Sequence, residues 1–95
     1  MALAIIRHRV SDFDAWRKVY DSVGAMQKAG GVIEESVYQG KNDPNDVVVL
    51  HRFNSIDEAE KFLASSDLKN AMHRSGVVGA PRIEVFEAAR RPARV

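Results

Sequence analysis

Apolar residues recur along the chain at two different spacings, and the two spacings predict alternating strands and helices. Apolar and β-branched runs, typical of strands whose side chains alternate between two faces, lie at residues 3–9, 32–39, 47–53 and 81–87. Apolar residues at steps of three and four, typical of amphipathic helices, fill the chain between residues 11 and 29 and between 55 and 75. The predicted order is therefore strand, helix, strand, strand, helix, strand.

Polar residues indicate where the helices begin and break. Ser11 is the predicted N-cap of the first helix, and Ser55 with Glu58 forms a predicted capping box at the start of the second. The first helix is expected to continue unbroken to the glycines at 30–31. The run Ser-Ser-Asp at 65–67 can break the second helix and cap its continuation.

Proline and glycine mark the predicted turns. Pro44 is expected in a tight turn between the second and third strands, because its fixed φ suits the second position of such a turn. Gly76 and Gly79 are expected to end the second helix, and Pro81 is expected to begin the last strand.

This order of elements predicts the α+β class and, within it, the ferredoxin-like βαββαβ sandwich. Two right-handed split crossovers give a four-stranded antiparallel sheet with the helices on one face and with the first and third strands at its centre. A single domain is expected over residues 1–88. The Ala/Arg/Pro-rich residues 89–95 are expected to form a basic, flexible tail.

The third strand is apolar on both faces, which one layer of helices cannot cover. Its two faces carry, respectively, Val47, Val49, His51 and Phe53, and Val48, Leu50 and Arg52. A soluble monomer does not tolerate an apolar sheet face of this size. We therefore expect a homodimer in which two sheets pack face to face as a dimeric α/β barrel. The alternative is a monomer whose open sheet face is partly covered by the tail.

The composition excludes several classes of partner. The 95 residues carry 14 basic and 13 acidic side chains, and the net charge of +1 provides no field that would attract nucleic acid or an anionic membrane. Without cysteine there is no disulfide, thiolate metal site or cysteine nucleophile. The first residues are typical of a strand rather than a signal peptide, and no apolar run approaches the ~20 residues that span a bilayer. A cytoplasmic protein is expected.

Four segments together resemble a known superfamily. These segments read FDAWRKVYD, NDPNDVVVL, FNSIDEAEKFLASSDLKNAM and GVVGAPRIEVFE. They are similar to the dimeric α/β-barrel superfamily, in particular to its small antibiotic-biosynthesis-monooxygenase-like proteins, over roughly residues 4–87. The superfamily includes cofactor-free quinone-forming monooxygenases, haem-degrading enzymes, polyketide cyclases, muconolactone isomerases and dye-decolourising relatives. The resemblance therefore implies the fold and does not select the reaction.

The three histidines do not predict a metal or haem site. His8 and His51 lie near the ends of neighbouring antiparallel strands, so their rings are expected at opposite ends of the sheet. His73 is expected to face solvent, away from the apolar stripe of its helix. Haem-degrading relatives use a helix histidine with a tryptophan and an asparagine, whereas the only tryptophan here is Trp16 on the first helix. No metal or organic cofactor is expected.

Aromatic residues and one histidine are the candidate site. Trp16 and Tyr20 lie one helical turn apart on the buried stripe, where they either pack in the core or form the wall of a cleft between helix and sheet. Phe53 is expected under the second helix. The predicted substrate-binding residues are Trp16, Tyr20, Phe53 and Phe62. His51 shares the strand face of Phe53 and is the predicted acid/base. A buried His51 bonded to a backbone carbonyl is the structural alternative.

The resemblance and these residues favour a cofactor-free monooxygenase that acts on an aromatic or polyketide-like small molecule. Such an enzyme needs a substrate that deprotonates and reacts with O₂ itself, so the protein supplies an acid/base group and a dry pocket. The first alternative is a non-catalytic, ligand-binding or stress-related dimer of the same fold. The second is a cyclase or isomerase that uses the same pocket without O₂.

Overall fold

The computed structural model describes residues 1–90, and the described elements follow the predicted order. They are β1 (Ala2–Val10), α1 (Phe13–Ser22), α2 (Gly24–Ala29), β2 (Glu34–Gly40), β3 (Asp43–Phe53), α3 (Ile56–Ala64), α4 (Ser66–Arg74) and β4 (Val77–Glu87). The ferredoxin-like α+β fold is confirmed. Most of the tail predicted at 89–95 lies outside the described residues. None of the helices within residues 1–90 is long and apolar enough to cross a membrane.

The four strands form one antiparallel sheet in the order β2-β3-β1-β4, with β1 and β3 at the centre as predicted. The register of the central pair places Ile6 opposite Val49, Ala4 opposite His51 and His8 opposite Val47. All of these alternate residues are buried, and Ala4, Ile6 and Val49 share core clusters with helix residues, so this is the helix-covered face. The register therefore puts both strand histidines under the helices.

The first helical region is divided, and the prediction of one unbroken helix is wrong. Its N-cap is Asp12 rather than Ser11, because the Asp12 carboxylate accepts a hydrogen bond from the Ala15 amide at 3.3 Å. Helix α1 ends at Ser22, Val23 caps it, and α2 begins at Gly24. Ser, Val and Gly stand in succession at 22–24 and all have low helix propensity, and the Ser22 hydroxyl donates to the Val19 carbonyl at 2.6 Å.

The second helical region breaks where predicted. The Ser65 hydroxyl accepts a hydrogen bond from the Leu68 amide at 3.2 Å and caps α4. The Ser55 hydroxyl accepts from the Glu58 amide at 3.2 Å and caps α3. Both caps satisfy amide groups that have no partner within the helix.

Two prolines lie inside strands, which corrects their predicted positions. The turn between β2 and β3 consists of Lys41 and Asn42, and Pro44 lies in β3 beyond the last residue that pairs with β1. Pro81 lies in the middle of β4, which begins four residues earlier than predicted. β4 is an edge strand with a register shift opposite Arg7 and Arg9, and an edge strand accommodates a residue that cannot donate to the ladder.

The sheet face opposite the helices carries apolar residues among ion-paired charged ones, such as Arg7, Arg52 and Glu84, and nothing in the described chain covers it. Its central residues Leu3, Ile5, Val48 and Leu50 are half-buried. Three large apolar residues on the same face are more exposed, namely Tyr38, Val78 and Phe86. We call these seven residues the open-face patch. Apolar residues grouped on one face in this way mark interaction surfaces, whereas singly scattered ones do not.

Candidate functional site

A cavity lies between the helix-covered face of the sheet and two helical walls. It is lined by Ile6, His8, Trp16, Val19, Tyr20, Val23, Met26, Gln27, Val49, His51, Leu68, Ala71, Met72 and Ser75. The cavity has a volume of about 40 Å³, and the empty space including its open mouth is about 420 Å³. A cavity that holds benzene is ~150 Å³, so the described state has room for water and not for a ring.

The floor of the cavity is the centre of the sheet. Ile6 and Val49 are directly paired and both line it. His8 lies two residues beyond Ile6 on β1, and His51 lies two residues beyond Val49 on β3. Because the strands are antiparallel, these two steps run in opposite directions. The histidines therefore stand at the two ends of one cavity: the predicted separation holds, and they share a pocket that the sequence did not predict.

Trp16 and Tyr20 form the wall that α1 contributes. Their ring centroids are 4.9 Å apart with an interplanar angle of 23°. Trp16 also lies 5.6 Å from the His8 ring, and Tyr20 lies 6.2 Å from the His51 ring. The aromatic pair on α1 thus connects the two histidines, one at each end of the cavity.

Tyr20 links His51 to a carboxylate at the surface. The Tyr20 hydroxyl donates to Glu35 Oε1 at 2.6 Å and lies 3.1 Å from His51 Nε2. The hydroxyl has one hydrogen, so when it donates to Glu35, Nε2 must carry a hydrogen and donate to the Tyr20 oxygen. This assignment, made from the hydrogen-bond network, leaves Nδ1 of His51 with a free lone pair.

Burial keeps both Tyr20 and His51 neutral. Burial raises the pKa of Tyr20 above its ordinary value of 10.0, and the hydrogen bond to Glu35 raises it further. Burial lowers the pKa of His51 from 6.5 to about 4, opposed by the nearby charge of Glu35. At neutral pH His51 is therefore a neutral imidazole able to accept a proton.

Two imidazoles carry buried nitrogen atoms that have no protein partner. Among the described residues, these are Nδ1 of His51 and both ring nitrogens of His8. A buried polar atom without a partner costs about 1–3 kcal/mol of folding free energy and therefore calls for an explanation. Burial also lowers the pKa of His8, so its ring presents one donor and one acceptor.

The other predicted site residues lie away from the cavity wall. Phe53 and Phe62 belong to the core cluster behind His51, with ring centroids 6.4 and 5.6 Å from the imidazole, and they hold the imidazole in place rather than line the cavity. His73 is exposed on α4, as predicted. Residues 1–90 contain no group of three or more potential ligands that could hold a metal ion.

Four features of the site were not predicted from the sequence: the α4 wall, Glu35, His8 and Gln27. The α4 wall had a visible signal, the apolar stripe of Leu68 and Met72, although nothing in that stripe indicated a cavity beside it. Glu35 reaches Tyr20 because β2 pairs Glu35 with His51, and that register is not encoded by any local pattern. His8 and Gln27 are buried polar residues, which hydropathy alone does not assign to a site.

The free energy of unfolding is expected to fall as the pH is lowered from 6.5 towards 4. His51 has a pKa of about 4 when folded and 6.5 as its ordinary value, so in this window the unfolded chain binds more protons and is favoured. The shift corresponds to roughly 3 kcal/mol. Urea denaturation at pH 7, 5 and 4 should show that the free energy of unfolding falls less with decreasing pH in His51→Leu than in the wild type. The control His73→Leu, changed at an exposed position, should follow the wild type. Equal pH dependence in all three would contradict the assignment.

Comparison with known proteins identifies the fold. No family model matches the chain, and no curated protein matches it. SnoaB, a cofactor-independent oxygenase from Streptomyces nogalater, has a TM-score of 0.76 at 13% identity, covering 95% of this chain and 94% of its own. A candidate antibiotic biosynthesis monooxygenase from Caulobacter crescentus has a TM-score of 0.75 at 21% identity, covering 94% and 90%.

A candidate antibiotic biosynthesis monooxygenase from Bordetella bronchiseptica gives a similar result. Its TM-score is 0.79 at 9% identity, with coverage of 94% of this chain and 97% of its own. These solved structures share nearly the whole length of the chain at low identity. The chain therefore has the fold of antibiotic biosynthesis monooxygenase-like proteins, as the sequence resemblance implied, and at this identity the likeness concerns the fold alone.

Proposed function

We propose that the protein is a small enzyme that removes a proton from an aromatic or polyketide-like substrate and lets the resulting anion react with O₂ without a cofactor. The observation that carries this proposal is the state of His51: a neutral, buried imidazole with one nitrogen free and the other held by Tyr20. A base needs this combination of a free lone pair, a fixed orientation and exclusion of water. SnoaB, of the same fold, is a cofactor-independent oxygenase.

The proton-transfer step uses the three linked residues. Nδ1 of His51 takes a proton from an acidic C–H or phenolic O–H of the substrate and becomes an imidazolium. The negative charge of Glu35, which raises the pKa of His51, and the Tyr20 oxygen that accepts from Nε2 both favour that cation. The substrate anion forms beside the cation, so the ion pair stabilises the anion in a cavity with little competing water.

The oxygenation step needs only O₂ as oxidant. For a substrate with an acidic CH₂ group, the carbanion gives its electrons to O₂ and a C–O bond forms, which yields a hydroperoxide after protonation. Loss of the second C–H proton and cleavage of the O–O bond leave a carbonyl and release water. One oxygen atom enters the product and the other leaves as water, so the balance closes without a metal or a reduced cofactor.

Substrate entry requires the helical walls to separate. The described cavity has room only for water, and two of its walls carry Met26 and Met72, whose flexible side chains can move aside. Opening between α1–α2 and α4 would give a ring access to His51. The small volume also favours a second candidate function, a cyclase or isomerase that uses His51 on a smaller substrate without O₂.

We further propose that the protein functions as a homodimer through the open-face patch. The patch lies on the opposite side of the sheet from the cavity, so a second copy would cover it without blocking the site. The arginines at its edge form ion pairs within the chain, Arg7 with Asp46 at 2.8 Å and Arg9 with Asp43 at 2.6 Å. Because these arginines are neutralised by their ion pairs, a second copy could pack against the apolar patch without leaving unpaired charges at its rim.

The test of the oxygenase proposal is oxygen consumption by metal-free protein. Anthrone and naphthalene hydroquinones are suitable probes because both form stabilised anions. With a chelator present, the protein should accelerate O₂ uptake, with one carbonyl formed per O₂ for anthrone. Product formed without O₂ uptake would instead support the isomerase or cyclase, and binding without turnover would support a non-catalytic protein.

Interrupting the link from His51 to the surface is expected to slow the reaction. Tyr20→Phe removes the oxygen that orients Nε2, and Glu35→Gln removes the charge that favours the imidazolium, so each should lower kcat about tenfold. The matched control is Glu34→Gln, because Glu34 is on the opposite face of the same strand and pairs with Arg52 at 3.7 Å. Equal rates in Glu35→Gln and Glu34→Gln would show that the link has no role.

A further inference from the structure

We propose that His8 is a second binding group of the cavity, which recognises an uncharged oxygen group on the end of the substrate farthest from His51. The proposal rests on the proposed function and specifies its substrate class: a fused-ring phenol or quinol with oxygen functions at both ends. His8 is only 6% exposed, lines the cavity, and has no protein partner for either ring nitrogen.

The chemistry of the cavity explains why an oxygen group fits this position. A neutral imidazole presents one N–H donor and one acceptor, so it can donate to a carbonyl or accept from a hydroxyl. Apart from the two histidines, the lining contains no residue of a charged type, so no cation is available there for a carboxylate or phosphate. Trp16, whose ring centroid is 5.6 Å from that of His8, suits the flat face of an aromatic substrate.

The sheet fixes the spacing of the two binding groups. His51 is paired with Ala4, and His8 lies four residues further along the same strand. At about 3.3 Å per residue the Cα positions of the two histidines are about 13 Å apart along the strands, and side chains that stand perpendicular to one sheet face keep about this spacing. Subtracting two hydrogen bonds of about 3 Å leaves about 7 Å between the substrate oxygens. That span corresponds to opposite ends of two fused six-membered rings.

Binding of a matched pair of naphthols tests this inference. The probes are 2-naphthol, with one oxygen, and 2,6-dihydroxynaphthalene, with oxygens at both ends. Titrations followed by ¹⁵N-histidine NMR should give about fivefold to tenfold tighter binding of the diol, because only the diol reaches both histidines. The diol should shift the ring nitrogens of His8 and His51, whereas 2-naphthol should shift those of His51 alone. Exposed His73 serves as the internal reference.

Variants of His8 separate recognition from packing. His8→Leu should abolish the preference for the diol, whereas His8→Gln, which keeps a donor and an acceptor, should retain part of it. Ile6→Val is the matched control, since it changes the volume beside His8 without changing a polar group and should keep the wild-type ratio. If His8→Leu unfolds the protein, the nitrogen shifts of the wild-type protein still decide the question.

The outcomes distinguish the inference from the function on which it rests. Equal binding of both probes, with His51 shifted and His8 unchanged, would overturn the role of His8 and leave the catalytic proposal standing. Failure of both probes to bind or to shift either histidine would overturn both proposals. A diol preference that His8→Leu retains would also refute the inference, because another residue would then hold the second oxygen.

Discussion

Replacing His51 with leucine is expected to lower kcat/KM for oxygenation by about 10²–10⁴-fold while the protein stays folded. Leucine removes the base and fills much of the space of the imidazole, which is 2% exposed and packed against Phe53 and Phe62. Alanine is less suitable, because it would leave a cavity in the core and destabilise the chain independently of catalysis. Leucine also removes the unpartnered Nδ1, so the loss of activity should not be accompanied by a large loss of stability.

The pH dependence provides a second measure of the same role. Because the pKa of His51 is lowered to about 4, kcat/KM of the wild-type protein should rise with pH up to about 4 and then level off. The control His73→Leu, at an exposed position on α4, should keep both the rate and the profile. If His51→Leu retained turnover, or if the wild-type rate rose only around pH 6.5, His51 would not be the buried base.

The predictable part of this fold is the part set by periodicity. The two-sided apolar pattern of β3 identified a central strand, and the serines at 55 and 65 marked helix starts that their side-chain hydrogen bonds create. These signals are local, since each depends on residues within one turn or one strand. The break at Val23 was not predicted because the low helix propensity of a single residue is a weak signal. Here three such residues stand in succession, and together they end the helix.

The candidate site was only partly predictable because it depends on contacts between distant segments. The side of the sheet that His51 occupies followed from its alternation with Phe53, and the structure places it there. The link from His51 to Glu35 depends on the pairing of β2 with β3. His8 and His51 share one cavity because α4 packs over both of them. A prediction from sequence can place a residue on a face, whereas the partners of that residue are set by register and packing.

Introducing a charge into the open-face patch is expected to dissociate the proposed dimer. Light scattering of the wild-type protein at micromolar concentration should give about twice the chain mass of 10.6 kDa. Leu50→Asp places a carboxylate at the centre of the patch, where face-to-face packing would bury it without a partner at a cost of several kcal/mol. The variant should be monomeric or aggregated, because the uncovered patch remains apolar around the new charge.

The two faces of β3 provide the controls for this experiment. Val49→Asp points to the helices and should unfold the protomer, with loss of helical circular dichroism, whereas soluble Leu50→Asp should keep its helical signal. Ala25→Asp introduces the same charge at an exposed position in the first turn of α2, where a carboxylate is favourable, and should remain dimeric. A monomeric wild-type protein would refute the dimer, and a dimeric Leu50→Asp would place the interface elsewhere. If Leu50→Asp dissociates the dimer and Ala25→Asp does not, the open sheet face is the surface that a second copy covers.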